Sequence, residues 1–97
     1  MKKPANYIWI FVGTNTSFPS GIFTSKELAI EWVKKHNLTG TLSLMPLDEG
    51  VFDWSVRNDM LTIKKEKIPE KSKDPHFIAS CFPASLEHYH FENGSVA

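Results

Sequence analysis

The stretch Gly21–Gly40, GIFTSKELAIEWVKKHNLTG, decides the fold, because it carries the clearest helical pattern in the chain. Wound at 3.6 residues per turn, it places Leu28, Trp32 and His36 on one line, while its charged side chains mostly point away from that line. This pattern predicts a helix over residues 25–36 that lies with its apolar side on a sheet.

Both ends of this helix carry capping signals. Thr24 and Glu27 have the spacing of a capping box, and Ser25 competes with Thr24 for the N-cap position. At the other end, Asn37 can adopt the left-handed backbone conformation that often ends a helix. These signals define an element of architecture, and none of them points to an activity.

The segments on either side of the helix are predicted to be strands. Tyr7–Val12, YIWIFV, is rich in aromatic and β-branched residues and has no polar side, which is typical of a central strand covered on both faces. Thr39–Leu47 alternates, with Leu42 and Leu44 on one face. The order strand, helix, strand indicates a βαβ-like unit, so these strands, if neighbours, would be parallel with a right-handed crossover.

The segment before the helix, Thr14–Gly21, is predicted to be a loop, because Asn, Ser, Thr, Pro and Gly dominate it. It contains one large apolar residue, Phe18. Phe18 either plugs the edge of the core or presents an aromatic anchor to a partner, and we favour the plug, since loops often tuck an aromatic ring under themselves.

The middle of the chain gives weaker signals. Asp48–Asn58 alternates as a strand would, but Asp48 and Asn58 can also bound a helix, and we favour a short helix. Met60–Ile63 fits a short strand or a packed turn. Lys64–Lys73 is rich in lysine, but two glutamates interrupt it and no aromatic residue is interleaved, so we predict a solvated surface loop rather than a phosphate-binding strip.

The C-terminal part is predicted to hold one helix and one strand. Asp74–Pro75 has the pattern of an N-cap followed by a first helical residue, and the helix extends to about Cys81. Ser85–Phe91 forms the last strand, and Asn93–Gly94 closes it with a turn. Residues 94–97 are predicted to be a frayed tail.

These elements predict a single small domain over residues 1–97, of the α/β or α+β class. A small mixed sheet, with Tyr7–Val12 central, carries the 25–36 helix on one face. The expected core consists of apolar residues from the strands and helices: Ile8, Ile10, Val12, Leu28, Trp32, Val33, Leu42, Leu44 and Phe77.

The composition argues against several classes of partner. Lys plus Arg and Asp plus Glu both number 11, so the formal net charge is zero and no global field gathers nucleic acid or an anionic membrane. The single cysteine, Cys81, allows no intramolecular disulfide, which suits a reducing compartment. No segment approaches the roughly 20 apolar residues that span a bilayer. We therefore expect a cytoplasmic protein that binds neither nucleic acid nor membrane.

His88 and His90 are the sharpest candidates for chemistry, because residues i and i+2 of a strand project in parallel and two imidazoles could share a metal ion. Zinc needs three or four ligands. The remaining ligands would come from other side chains: His76, Cys81, Glu92 or Asp53. A small metal-dependent or acid–base enzyme using the His88/His90 face is thus the alternative function, although two hydrogen-bonded histidines on a sheet are commoner.

No recognised catalytic or cofactor motif is present. The chain lacks G-x-S-x-G, G-x-G-x-x-G and a P-loop, so we assign no catalytic residue and expect no cofactor. Cys81 lies between apolar neighbours and is expected to pack as a small hydrophobe. Asp48, Glu49 and Asp53 form an acidic cluster that either docks on a basic partner or is a solvated cap and turn.

Four segments carry a resemblance to a group of proteins: WIFVG, FPSGIFTSKELAIEWVKKHNLTG, PLDEGVFDWSV and ASLEHYHFENG. The chain resembles a family of small, uncharacterised bacterial proteins that repeats W-x-F, F-P-S-G-x-F, L-T-G, P-L-D-x-G-x-x-D-W and E-H-Y-H. The resemblance covers nearly the whole chain except the lysine-rich loop. The chain is also similar to immunity proteins of contact-dependent growth inhibition systems. These proteins neutralise a toxin domain that is often a nuclease.

The resemblance implies an immunity protein, not an enzyme, that blocks a cognate toxin domain as a stoichiometric inhibitor. A nuclease active site is electropositive, so carboxylates are the logical contacts. We expect Asp48, Glu49 and Asp53 to bind the toxin, with Glu87 and Glu92 as second choices. The neutral net charge departs from the acidic character that is frequent among inhibitors of basic nucleases.

Overall fold

The computed structural model describes residues 3–97, which form a five-stranded antiparallel sheet and several helices. The strands are β1 (Tyr7–Gly13), β2 (Pro19–Phe23), β3 (Gly40–Pro46), β4 (His88–Glu92) and β5 (Ser95–Val96). The helices are α1 (Lys26–Lys35), α2 (Val51–Arg57), α3 (Ile68–Lys71) and α4 (Pro75–Ala79), with a 3₁₀ turn at Lys65–Lys67 before α3. The predicted α+β class is confirmed. Over residues 3–97 no helix is both long and apolar enough to cross a membrane.

The sheet has the strand order β2-β1-β3-β4-β5, and β1 is hydrogen-bonded on both sides as predicted. Every pairing is antiparallel, so the mixed sheet and the parallel βαβ-like unit are wrong. The reason is the additional strand β2, which runs antiparallel to β1. Helix α1 then returns the chain in the direction of β1, so β3 starts from the opposite end and runs antiparallel to β1. Where β1 and β3 meet, a Cβ at Gly40 would lie 2.4 Å from the Val12 carbonyl oxygen, so glycine allows this close approach.

β2 occupies part of the segment that was predicted to be the loop Thr14–Gly21. It pairs with β1 through Trp9 opposite Phe23 and Ile10 opposite Ile22. Pro19 is tolerated because β2 lies at the edge of the sheet. Phe18, in the turn before β2, is 79% exposed, so the prediction that it plugs the core edge is wrong.

Helix α1 matches the predicted helix in position and buries the expected core residue Val33, but the line through Leu28, Trp32 and His36 is not its buried side. Ala29 and Val33 are fully buried, whereas Leu28 is 53% exposed. Trp32 is half-buried, with its ring centroid 5.8 Å from that of Phe11. The helix is therefore turned by about one position from the predicted line, which equals about 100° of rotation.

The core lies on the sheet face that carries α1 and α2. Its members come from the strands, both helices and the segment before β4: Trp9, Phe11, Ala29, Val33, Leu42, Leu44, Trp54, Leu86 and Phe91. Of the expected core residues, Val33, Leu42 and Leu44 are confirmed. Phe77 is only half-buried, and its ring packs edge-on against that of the buried Phe52.

The other face of the sheet carries residues that were predicted to be core. Ile8, Ile10 and Val12 alternate with the buried Trp9 and Phe11, and they neither belong to the core nor pack against it. Strand register places further residues on the same side. We call this surface the open face; it consists of Ile8, Ile10, Val12, Ile22, Thr41, Ser43, Met45, His88, His90 and Glu92. All of these residues are half-buried or exposed.

The middle of the chain confirms the short helix at α2, where Phe52, Trp54 and Ser55 are buried. Its N-cap is Gly50, not Asp48. The predicted surface loop Lys64–Lys73 instead contains the 3₁₀ turn and α3, neither of which buries a residue. Residues 60–63 form neither a helix nor a strand.

The end of the chain is more ordered than predicted. Asp74 caps α4, and its side chain accepts hydrogen bonds from the backbone N–H groups of His76 and Phe77. The turn at Asn93–Gly94 is confirmed, but residues 95–96 are not frayed, because they form β5 and pair with β4. The backbone N–H of Ala97 donates to the His90 carbonyl at 2.8 Å.

Candidate functional site

The predicted acidic cluster lies where the chain enters α2. Asp48 lies in the bend between β3 and α2 with a φ of 61°, in the left-handed region that Asp tolerates better than most residues. Asp53 lies in the first turn of α2. Both carboxylates are exposed, and within residues 3–97 neither takes part in an ion pair. They are therefore available to a basic partner.

Glu49, the third member of the cluster, is already paired. The Arg57 guanidinium donates from Nη2 to Oε1 at 2.7 Å and from Nε to Oε2 at 3.1 Å. This two-point hydrogen bond lowers the pKa of Glu49 and raises that of Arg57. Sequence reasoning missed Arg57, although it lies on the helix that follows the cluster and compensates one of the three negative charges.

Glu87, a second-choice contact, belongs to a network that joins α1 to the strand region. Tyr89 donates its hydroxyl to Glu87 Oε2 at 2.5 Å, and Lys26 Nζ lies 3.4 Å from the same oxygen. Lys3 Nζ lies 3.7 Å from the other carboxylate oxygen. The hydrogen bond from Tyr89, followed by the hydrogen bond and charge of Lys26 and by the charge of Lys3, lowers the pKa of Glu87. Its charge is therefore locally compensated, which makes it a poorer contact than Asp48 or Asp53.

Glu92, the other second choice, is exposed on β4 and forms no ion pair within residues 3–97. It is the last residue of β4, opposite Ser95 of β5, on the same side of the sheet as His88 and His90. Sequence reasoning could not separate Glu92 from Glu87, because the pairing of Glu87 depends on Lys26, which is distant in the chain.

His88 and His90 project together from β4, with ring centroids 5.4 Å apart. His88 Nδ1 lies 2.7 Å from the Leu86 carbonyl oxygen, so it carries the proton and leaves Nε2 unprotonated in the neutral ring. His90 Nδ1 lies 3.2 Å from Thr41 Oγ1. Among residues 3–97, no cluster of three or more His, Cys, Asp or Glu side chains is arranged to hold a metal ion. The enzyme alternative stays a prediction.

An open cleft of about 380 Å³ lies between the segment after α2 and the end of α4. Cys81 lies on its wall, and burial raises the pKa of the thiol. This favours the protonated thiol over the reactive thiolate, in agreement with Cys81 packing as a small hydrophobe. The lining is mostly apolar: Leu61, Thr62, Ile63, Phe77, Ser80, Cys81, Phe82, Pro83 and Ala84.

Comparison with known proteins gives one match. Residues 8–97 match a family model described as a domain of unknown function (DUF7710). No curated protein and no solved structure matches the chain. The match covers all the helices and all five strands except Tyr7, the first residue of β1, so the fold described above is that of a family member over nearly its whole length.

Proposed function

The chain belongs to the DUF7710 family, and we propose that it is a bacterial immunity protein that binds a cognate toxin domain. In this proposal it acts in the cytoplasm as a stoichiometric inhibitor and performs no catalysis. The toxin domain is a nuclease in the simplest case, and the inhibitor covers the electropositive surface that holds the phosphate groups of the substrate.

The observation that carries the proposal is the pair of exposed carboxylates Asp48 and Asp53. They flank the start of α2, which is anchored by the buried side chains of Phe52 and Trp54. A surface fixed in this way loses little conformational entropy on binding. Because neither carboxylate has an ion-pair partner within residues 3–97, a basic partner would break no existing pair.

The predicted contacts differ in whether the carboxylate already forms an ion pair within the chain. Glu49 and Glu87 would each have to leave a basic partner within the chain, whereas Asp48 and Asp53 would not. Close charge pairs at protein interfaces couple by about 1.5–7 kcal/mol, and charges at the rim mainly change the association rate. A standard interface, burying about 1,600 Å² in total, is large enough to include both aspartates.

The test is binding to the toxin domain encoded by the neighbouring gene, measured by calorimetry at two salt concentrations. We expect the double variant Asp48→Lys/Asp53→Lys to raise the Kd by at least about a hundredfold, equivalent to about 2.7 kcal/mol. The matched control is Glu66→Lys/Glu70→Lys, which makes the same charge change on the exposed surface around α3.

Two results would contradict the proposal at different levels. If the folded double variant binds as tightly as the wild type with the same salt dependence, the contact surface lies elsewhere. If the wild-type protein neither binds the neighbouring toxin domain nor protects cells that express it, the chain is not an immunity protein. Circular dichroism of each variant confirms that the fold is intact before binding is measured.

A further inference from the structure

Two of the four histidines of the chain lie side by side on β4, and the proposed toxin contact does not use them. His88 and His90 are residues i and i+2 of the strand, so their side chains leave the backbone on the same side of the sheet. Pairing with Ser43 and Thr41 of β3 fixes the backbone at both positions. The strand therefore holds two imidazoles next to each other on the open face.

The separation of the two rings matches that of two ligands on one metal ion. Zn–N bonds are about 2.0–2.1 Å long, so a zinc ion lies roughly 3.2 Å from the centre of each imidazole ring that binds it. At a tetrahedral angle, two such ring centres are about 5.2 Å apart. The ring centroids of His88 and His90 are 5.4 Å apart, so one ion can reach both rings without a shift of the strand.

His88 is held in the tautomer that a metal ion requires. Its Nδ1 lies 2.7 Å from the Leu86 carbonyl oxygen, which only accepts, so Nδ1 carries the proton and Nε2 keeps a free lone pair in the neutral ring. Leu86 is fully buried, and the ring of Phe82 packs edge-on at 5.5 Å from that of His88. Metal-binding histidines commonly donate their second N–H to a carbonyl oxygen in this way.

His90 has a comparable hydrogen-bond partner and access to solvent. Its Nδ1 lies 3.2 Å from the Thr41 hydroxyl oxygen, which can accept from Nδ1 and so leave Nε2 free. The side chain is exposed, so its ring can turn to aim Nε2 at an ion that arrives from solvent. Glu92 follows on the same side of β4, and its carboxylate has no ion pair within residues 3–97, so its charge favours a nearby cation.

We propose that His88 and His90 bind one Zn²⁺ ion, or a similar divalent transition-metal ion, through their Nε2 atoms. Imidazole is a preferred ligand of these ions, whereas Mg²⁺ and Ca²⁺ prefer oxygen ligands. Among residues 3–97 no group of three or more His, Cys, Asp or Glu side chains can hold a metal ion. Water therefore fills the remaining positions, and the ion is bound less tightly than in a structural zinc site with four protein ligands.

The metal site is independent of the proposed toxin contact. It lies on the open face, whereas Asp48 and Asp53 lie at the start of α2 on the core side of the sheet. Bound zinc should raise the melting temperature of the protein, because the folded strand presents both imidazoles together and the unfolded chain does not. Neither effect requires a toxin domain, so the site can be tested on the isolated chain.

Isothermal titration of untagged, chelator-treated protein with ZnCl₂ tests the site. We expect one ion per chain with a Kd of about 10 µM, and no saturable binding of MgCl₂. His90→Gln should raise the Kd for zinc by at least about tenfold, because the second imidazole then no longer adds to the first. His90 is exposed, so this change does not threaten folding, and circular dichroism verifies it.

His76→Gln is the matched control, since it removes an exposed imidazole from α4 and should leave the Kd unchanged. NMR spectra of the imidazole nitrogens provide a second readout: zinc should shift Nε2 of both His88 and His90, while Nδ1 of His88 stays protonated. The proposal is overturned if the wild type shows no saturable zinc binding up to about 1 mM. It is also overturned if His76→Gln weakens binding as much as His90→Gln, or if zinc leaves the Nε2 signals of this pair unchanged.

Discussion

Trp54 is the largest side chain that the core buries completely, with 2% of its surface exposed. We expect Trp54→Ala to lower the free energy of unfolding by about 3–5 kcal/mol, because it removes apolar contacts and leaves a cavity. Trp32→Ala should cost less, since Trp32 keeps part of its surface in water although its ring packs against Phe11 and Phe23. Urea denaturation followed by circular dichroism measures both changes.

The control for this pair is Leu28→Ala on the exposed side of α1, which should change the free energy of unfolding by less than about 0.5 kcal/mol. The assignment of the core to the side of α1 and α2 fails if Trp54→Ala costs less than about 1 kcal/mol, or if Trp32→Ala costs more than Trp54→Ala.

Which residues enter the core could be predicted only in part from the sequence. Leu42 and Leu44 were predictable because polar or flexible residues alternate with them on β3. Tyr7–Val12 gave no such signal, because both of its faces are apolar, and the sequence expectation chose the wrong face. The cause of that ambiguity is that the outward residues of β1 are apolar, so no polar residue marks the face that is turned away from the core.

Helix α1 begins at a cap that can be tested directly. The Ser25 hydroxyl accepts a hydrogen bond from the Leu28 backbone N–H at 3.2 Å. We expect Ser25→Ala to lower the free energy of unfolding by about 0.5–2 kcal/mol, because that N–H then lacks its partner. Thr24→Ala is the matched control and should cost less, since Thr24 is exposed and does not cap the helix. Equal losses in urea denaturation would contradict the assignment of the cap.

At the scale of whole elements, local signals were sufficient for α1, α2 and α4, and insufficient for α3 and the sheet. Capping residues and apolar spacing are properties of a few neighbouring residues, so the positions of α1 and α2 and the Asp74 cap of α4 could be predicted, although the N-cap of α2 is Gly50 and not the predicted Asp48. The sequence PSGIF of β2 has the composition of a turn, so it does not by itself predict a strand. It forms an edge strand because it pairs with β1, and that pairing is not visible in the local sequence. Missing that one strand inverted the predicted direction of β3 relative to β1.

The acidic pair and the open face lie on opposite sides of the molecule. The acidic pair Asp48 and Asp53 lies at the start of α2, which packs on the core side of the sheet. The open face lies on the opposite side, where the outward positions of β1 are the apolar Ile8, Ile10 and Val12. A toxin domain bound at the acidic pair would therefore leave the open face uncovered.

The stability of the fold is expected to be unevenly distributed over the molecule. β1 and β3 are each hydrogen-bonded on both sides and carry the core residues Trp9, Phe11, Leu42 and Leu44. In contrast, the 3₁₀ turn, α3 and α4 bury no residue completely. We expect amides in residues 65–79 to exchange with solvent by local opening, at least about a hundredfold faster than those of β1 and β3.

Native-state hydrogen exchange in a series of low denaturant concentrations measures this difference. Amides of β1 and β3 should exchange only when the whole domain unfolds, so their opening free energy falls with denaturant as steeply as the global one. Amides of residues 65–79 should show little dependence on denaturant, because local opening exposes little surface. Equal protection and equal denaturant dependence in both regions would show that α3 and α4 belong to the cooperative core, against their exposure in the structure.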